Sequence, residues 1–478
     1  MISYTALVSG VLFPLHERLK RHRSVAVRRE MELSQWLSPD ALAALQAQRL
    51  RRLLVEAQTH VPYYRDLFER IGFDAAAVTG PDDLQRLPTL TKPLIRTNAE
   101  ALKHAQARGL RKGSTGGSSG QPLHFLIGQE RISHDVAAKW RATRWWGVDI
   151  GDPEVVIWGS PIELGAQDRV RLWRDRLMRS TLLSAFEMTE ANLDNFITSI
   201  RRIRPKMLFG YPYSMSHIAG HAQRRGIRMD DLGIKVAFVT SEALYPHQRE
   251  TISSVFGCPV ANGYGGRDAG FIAHECPAGG MHITAEDIVV EILDPQGGVL
   301  PAGQAGEVTI THLATRDYPF IRYRTGDIAV RDDKPCRCGR GLHLMREIQG
   351  RTNDFLISTS GTPIPCGAFT YLVRETPGIE SFKIVQETLI QTDVQLVVGQ
   401  GYLPQSGQTL AANFRRRLGA EVHVEVRLVD EIKAESNGKF RYISSKLSAT
   451  APTSLQPSPA APATGTREVL TQGSDHGA

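Results

Sequence analysis

The residues Ser114-Thr115-Gly116-Gly117-Ser118-Ser119-Gly120-Gln121-Pro122 combine glycines and hydroxyls without one bulky apolar side chain. Glycines let the backbone aim several N–H groups at one point, and hydroxyls add donors around it. Such a nest suits an anion, most often the phosphates of a nucleotide. The same composition also makes a flexible linker, and the stretch alone leaves both readings open.

The cysteines form a second constellation. Cys276-Pro277-Ala278-Gly279-Gly280-Met281-His282 gives Cys-x5-His, and Cys336-Arg337-Cys338 gives Cys-x-Cys, both in loop-like sequence. Three thiolates and one imidazole can close a tetrahedral zinc site. A closed site has no position for water, so it would be structural and would pin a β region to the sheet domain. Free thiols are the alternative, and His274 and His343 are the spare imidazoles. Cys258 and Cys366 have apolar or glycine neighbours and read as buried thiols. Five cysteines in 478 residues make no disulfide scaffold.

These groups need elements to position them. Residues 32–75 look helical, with Leu50, Leu53, Leu54 and Ala57 on one stripe and an interruption at Val61-Pro62. A long helix over about 129–146 follows the Gly/Ser loop. Apolar strands then alternate with helices: strands 154–158, 206–209, 234–239 and 259–264, helices about 190–203 and 246–256. This alternation implies a parallel sheet covered on both faces, with its ligand at the carboxyl ends of the strands. Those ends are Gly159-Ser160, Gly210-Tyr211, Ser241-Glu242 and Tyr264-Gly265. Trp158, Tyr211, Ser241 and Tyr264 could line a pocket there, and each could equally be core.

From about Thr284 the texture changes to strands 287–293, 307–310 and 320–323 separated by turn residues, a mixed or barrel-like β region. After Gly350 a compact α+β pattern begins, with strands near 382–386, 393–398 and 421–429 and helices near 367–375 and 407–418. Residues 449–466 are almost all Ala, Pro, Ser and Thr and read as a disordered tail.

The balance of 57 Lys+Arg against 50 Asp+Glu is mildly basic, with scattered arginines and no nucleic-acid tract. At the N-terminus an apolar run to Leu15 precedes the basic cluster Arg18 to Arg23. That order is wrong for a secretory signal, and the run is too short to span a bilayer. The expectation is a cytoplasmic protein without stable membrane insertion. An apolar stretch beside basic residues can nevertheless lie at an interface.

Four further signatures follow the Gly/Ser loop in order: Tyr264-Gly265-Gly266-Arg267-Asp268, Tyr323-Arg324-Thr325-Gly326-Asp327, Gly350-Arg351-Thr352-Asn353-Asp354 and Gly438-Lys439-Phe440-Arg441. With them, and with Val61-Pro62-Tyr63-Tyr64 and Leu87-Pro88-Thr89-Leu90-Thr91-Lys92, the chain from about 3 to 447 resembles the adenylate-forming enzymes. Within these it resembles the phenylacetate–CoA ligase family, in its capsule-biosynthesis-like branch.

The resemblance implies an α/β fold. A large N-terminal domain, 1–350, would hold parallel sheets covered by helices plus a β-rich subdomain. A small mobile α+β lid domain, 351–448, would follow, and then a tail, 449–478. It implies ATP and Mg2+ activating a small-molecule carboxylate, aryl or apolar, as an acyl-adenylate, with coenzyme A as acceptor. Thr115, Gly116, Gly117, Ser118, Ser119 and Gly120 would hold the β,γ-phosphates. Ser241, Glu242, Tyr264 and Gly265 would border the nucleotide, with Tyr264 near adenine. Asp268 would help bind Mg2+, and Asp327 would accept both ribose hydroxyls. Arg351 would sit near ribose and phosphate, Lys439 would neutralise developing charge, and Asn353 and Asp354 would be the hinge. Zinc at Cys276, His282, Cys336 and Cys338 gains support from similar residues in the family.

On the residues alone, plainer readings stand beside these: a helix cap at Asp268, packing at Tyr264, a turn aspartate at Asp327, a surface pair at Arg351 and a solvated loop at Lys439. Three positions depart from the family: Gln121 where Lys is common, Asp268 for Glu, and Asn353 in an Asp-Asp pair. Alternatives are transfer to an amine acceptor and a catalytically decayed, zinc-containing binding protein. A homodimer is implied only at family level.

Overall fold

The computed structural model describes residues 3–115, 123–158, 169–185, 188, 190–351, 355–361, 363–365, 369, 372–373, 376–432 and 441–447. The chain opens on a helix, α1, running through Tyr4–Leu7, a π-helical turn Val8–Leu12 and Phe13–Leu19. Helix α2, Ser24–Ser34, follows. Ser38 accepts the Ala41 N–H with its side chain, and Pro39 opens α3, Pro39–His60. Val61 then ends α3 and begins α4, Pro62–Ile71, because the residue before a proline is pushed out of the helical region.

Eleven strands form one sheet in the order β10-β11-β12-β13-β9-β8-β7-β6-β5-β3-β4. Its parallel half is β3 (Glu154–Trp158), β4 (Ser180–Ser184), β5 (Met207–Gly210), β6 (Val236–Thr240) and β7 (Val260–Gly266). Helices α5 (Gln129–Trp145), α6 (Arg169–Leu177), α7 (Glu190–Ile203), α8 (Pro212–Arg224) and α9 (Pro246–Phe256) connect or cover these strands. Leu193, Ile197 and Ile200 of α7 are buried one turn apart, the stripe its sequence carries.

The antiparallel half is β8 (Gly270–Glu275), β9 (Met281–Ile283), β10 (Ile288–Leu293), β11 (Ala305–His312), β12 (Tyr323–Asp332) and β13 (Leu344–Arg351). It is therefore not a separate barrel but the continuation of the same sheet through β7 and β8. One expected strand start fails: β12 begins at Tyr323, not at Phe320. Arg322 is left-handed at φ 50°, and its buried guanidinium pairs with Glu291 at 2.9 Å. The edge strand β4 was not expected at all.

The largest core packs Leu50, Leu54 and Phe68 of α3 and α4 against Ile310, Phe320 and Tyr323 of the antiparallel half. A bridge seals this junction. Leu90 N–H donates to Arg322 O (2.8 Å), and Arg324 N–H donates to Leu90 O (2.9 Å). Ahead of the sheet, β1 (Arg111–Ser114) and β2 (His124–Ile127) form the hairpin that presents the Gly/Ser loop.

Beyond the long sheet, β14 (Phe355–Ile357) pairs with β15 (Pro363–Pro365). A second sheet, β18-β17-β16-β19, follows: β16 (Ile379–Thr388), β17 (Gln391–Val398), β18 (His423–Leu428) and β19 (Ile443–Ser445). Helix α10, Pro404–Leu418, covers it through Leu410, Phe414 and Leu418. The whole is the mixed α/β architecture expected, with a small α+β part at the C-terminal end.

Candidate functional site

Two hydroxyl–carboxylate bonds tie the ends of β7 and β12 together. Tyr264 of β7 donates to Asp327 Oδ2 of β12 at 2.8 Å. Tyr323 of β12 donates to Asp268 Oδ2, in the turn after β7, at 2.6 Å. Three strands separate β7 from β12 in the sheet order. At about 4.8 Å per strand, no tyrosine could cross a flat sheet between them, so the sheet curls here. Arg351 is the register partner of Asp327 across β12–β13, which sets its backbone beside that of Asp327.

Asp268 caps no helix, because its turn joins the antiparallel pair β7–β8. What holds this turn is Arg131, 3% exposed, on α5. Its Nη2 donates to Arg267 O (3.3 Å), its Nη1 to Asp268 O (3.4 Å) and Thr315 Oγ1 (3.4 Å), and its Nε to Asp135 Oδ2 (2.9 Å). Asp135 Oδ1 lies 3.8 Å from His312 Nε2, and burial lowers the His312 pKa. Gly270 follows at φ +84°, and a Cβ there would come within 2.9 Å of His312 Nε2. Sequence reading missed Arg131. A lone arginine on a helix looks solvated, and only its i,i+4 spacing to Asp135 hints otherwise.

Thr115 closes the β1–β2 hairpin: its Oγ1 accepts the Leu123 N–H at 2.9 Å. The remaining loop residues, Gly116, Gly117, Ser118, Ser119 and Gly120, lie outside the described residues, as do Gln121, Asn353, Asp354 and Lys439. Of Arg351 only the backbone is described.

At the parallel strand ends, Trp158 stacks on Tyr211 (4.4 Å, 29°), and Tyr211 is buried. Ser241 is a non-glycine residue at φ 72°, the kind of backbone outlier that tertiary contacts must hold in place. The Glu242 carboxylate accepts the Tyr213 N–H at 3.4 Å, at the first turn of α8. Among the described residues, Tyr442 reaches this surface from the small α+β part. Tyr442 sits edge-on to Tyr245 (5.6 Å) and Tyr213 (6.1 Å), and Gln248 donates to its hydroxyl at 3.4 Å. It lies three residues after Lys439 in sequence.

Cys276, His282, Cys336 and Cys338 converge, with all their ligand atoms within 4.8 Å of one another. Cys276 Sγ and Cys336 Sγ are 3.7 Å apart, and His282 Nε2 lies 3.1 Å from Cys338 Sγ. A tetrahedral ion with bonds of about 2.3 Å separates two thiolates by roughly 3.7 Å, so the cluster fits a closed zinc site. Gly280 leaves the space: a Cβ there would fall 2.5 Å from Cys336 Sγ. Burial lowers His282 to about 4, which keeps its imidazole neutral as a ligand must be. The four residues lie on β9, just after β8, and in the β12–β13 connection. The cluster thus staples two turns of the antiparallel half, rather than joining that half to the parallel one. Of the two spare imidazoles, His274 stacks on Phe271 instead (5.4 Å).

A second group, Glu56, His60 and His104, also brings ligand atoms within 4.8 Å. The Gln106 N–H donates to His104 Nδ1 at 3.1 Å, which puts the ring proton on Nε2, facing Glu56 Oε2 at 3.5 Å. An imidazole protonated there has no lone pair on that nitrogen for a metal.

Residues 356–446 match the CapK C-terminal domain. The chain is 24% identical to protein CapK of Staphylococcus aureus over 440 residues, 91% of this chain and 94% of the relative. It is 25% identical to phenylacetate-coenzyme A ligase of Thermus thermophilus over 389 residues, 79% and 86% of the two chains. Among solved structures it superposes on 2-hydroxyisobutyryl-CoA ligase in the postadenylation state. The TM-score is 0.68 at 20% identity, covering 84% of this chain and 88% of that one. Against the thioesterification state of the same ligase the TM-score is 0.54. In fold the chain is thus similar to an acyl-CoA ligase, and in sequence it is similar to CapK and to the phenylacetate–coenzyme A ligases.

Proposed function

We propose that the chain is an AMP-forming acid–thiol ligase. It activates a small carboxylic acid, aryl or apolar, with ATP and then passes the acyl group to coenzyme A. The observation that carries this reading is the paired Tyr264–Asp327 and Tyr323–Asp268 bracket, which brings two carboxylates from separate motifs to one curled end of the sheet. The stacked Trp158 and Tyr211 at the neighbouring strand ends favour a flat or apolar acid.

In the first half-reaction a carboxylate oxygen bonds to the α-phosphorus and the bond to pyrophosphate breaks. In the second, the thiol sulfur bonds to the acyl carbon, AMP leaves with the electron pair, and the thiol proton passes to solvent. Both steps need charge balance and alignment and no protein nucleophile. Asp327 accepts the ribose hydroxyls, with its direction fixed by Tyr264. Arg351 lies by ribose and phosphate, and the Thr115–Gly120 loop takes the β,γ-phosphates. Asp268 would hold Mg2+, which supplies charge neutralisation at the α-phosphate. Ser241, Glu242 and Gly265 border the nucleotide. Lys439 comes from a small domain, 351–448, that rotates about Asn353-Asp354 between the halves. Cys276, His282, Cys336 and Cys338 would hold zinc, which would be structural.

The test is pyrophosphate release from ATP and Mg2+ across a panel of aryl and aliphatic acids, first without coenzyme A. Release dependent on one acid establishes adenylation, and silence from folded protein across the panel rejects it. Adding coenzyme A or amine acceptors to the responding acid then names the acceptor. Lys439→Ala should cripple adenylation yet spare thioesterification from pre-formed acyl-adenylate. Equal loss in both halves would sink the lysine's role.

A further inference from the structure

Helix α1 is apolar on two sides, and only one of them is covered. Val8 and Phe13 face inward and are buried, with Phe13 edge-on to Trp140 at 5.1 Å. Tyr4, Leu7, Val11, Leu15 and Leu19 recur every three or four residues along the outer side, and they are 41%, 41%, 54%, 55% and 77% exposed. Helix α6 meets the N-terminal end of this side. Tyr4 donates to the carbonyl of Leu177 at 2.9 Å, and the Arg179 guanidinium sits 5.5 Å from the Tyr4 ring. From α6, Trp173 (66% exposed) and Leu177 (49%) extend the outer apolar surface. Among the described residues, seven of the sixteen exposed large apolar side chains stand on these two helices, so the patch is not the usual scatter.

The charge around the patch is mainly positive, although Asp152 accepts a hydrogen bond from Thr5 of α1 at 2.9 Å. Arg18, Arg21 and Arg23 are exposed at the end of α1 and just beyond it, and Arg174, Arg176 and Arg179 belong to α6 and its exit. The single acid of residues 3–23, Glu17, points inward, buried with Ser24 (2.5 Å) and His22 (3.2 Å). Asp175 is taken by Arg174. Lys20 lies close enough to Arg174 and Arg111 for their charges, after burial, to lower its pKa. The cluster therefore carries more cations than the acids beside it can balance.

We propose that α1 and α6 dock the protein on an anionic phospholipid surface, with the outer stripe of α1 and Trp173 in the headgroup boundary and the arginines on lipid phosphates. A membrane interface is the partner that takes apolar side chains and cations together. A second copy fits poorly, because a two-fold contact would set this arginine cluster against itself. No helix among the described residues is long and apolar enough to cross a membrane, so the docking lies in the interface plane. It goes beyond the ligase reading and does not depend on it.

The experiment is co-sedimentation of the full chain with phosphatidylcholine vesicles, with and without phosphatidylglycerol, at low and high salt. Binding is expected to the phosphatidylglycerol vesicles, weakening with salt. Leu15→Asp/Leu19→Asp should lower it about tenfold or more, since two leucines leave the interface. Arg18→Glu/Arg21→Glu should reduce it through charge alone. Thermal unfolding should stay at the parental value in both variants. No partition into any vesicle overturns the proposal, as does parental binding by Leu15→Asp/Leu19→Asp. A concentration-dependent dimer that this variant dissolves would assign the face to a second copy and also overturns it.

Discussion

The two halves of the long sheet hold their side chains by different forces. In the parallel half, β5 and β6 are buried along their whole length and read Met-Leu-Phe-Gly and Val-Ala-Phe-Val-Thr. Apolar packing fixes where those strands lie, and it tolerates small changes of shape. The antiparallel half and the helices on it bury paired charges: Arg322–Glu291, Arg141–Glu286, Arg131–Asp135 and His134–Asp287–Arg49. Hydrogen-bonded charges fix direction as well as place, and truncating one leaves its partner buried and unpaired. The side of the sheet that aims Asp268 and Asp327 is thus the side with least tolerance.

Truncation of the charged clamp should give the largest effect. Arg131→Ala should cost about 3–5 kcal/mol of stability. Pyrophosphate release should fall roughly hundredfold as the Asp268 turn loosens. Parental melting and release in this variant would break the comparison. Stripping metal with a strong chelator, or Cys338→Ser, comes next and should lower Tm by roughly 5–10 °C. An unchanged melt with no zinc found by elemental analysis would leave four free thiols. Tyr264→Phe and Tyr323→Phe each remove one bracket hydroxyl and should cost about 1–2 kcal/mol in transition-state stabilisation, read in kcat/KM for ATP. If both variants match the parent, the bracket does not aim the carboxylates.

A pH series sharpens the contrast further. Burial pushes the Asp287 carboxyl up, but the charge and hydrogen bond of His134, with Arg49, bring it down to about 2. Burial lowers His134, and Asp287 more than offsets this, raising it above 6.5. The histidine's contribution is therefore full below 6.5 and lost as pH rises through its raised value. The aspartate's contribution is present above 3.8 and lost as pH falls toward 2. Tm should fall by a few degrees between about pH 6 and pH 9, less so in His134→Ala. Equal slopes would reject the pair as the cause. The smallest effect belongs to the parallel half: Ile157→Val should cost about 1 kcal/mol with release unchanged.

Local signals made part of this legible. Helix 246–256 carries Pro246 at its start and Gly257, left-handed at φ 61°, at its end, so its bounds stand in the sequence. The Cys-x5-His and Cys-x-Cys pairs could be read as one cluster because thiols and an imidazole in glycine-rich turns suit neither an apolar core nor a solvated face. Strand β4, Ser-Thr-Leu-Leu-Ser, has no alternation to mark it, and Phe320–Arg322 looked extended because a left-handed arginine leaves no trace in composition. The brackets were hidden for another reason. Tyr264 and Asp327 are 63 residues apart, and Asp268 and Tyr323 are 55 apart, so only the curl of the sheet makes them neighbours.

The bridge between Leu90 and Tyr323 has a consequence for the order of synthesis. Much of the cover on the apolar faces of α3 and α4 comes from residues that leave the ribosome more than two hundred positions later. At translation rates of about 5–20 residues per second, those faces wait roughly 10–50 seconds for their cover. The nascent chain therefore carries a leucine-rich helix pair, covered only by near neighbours such as Phe73, Leu84 and Leu102, through about half of the synthesis of these 478 residues, and it is during that interval that chaperones or aggregation would act on it.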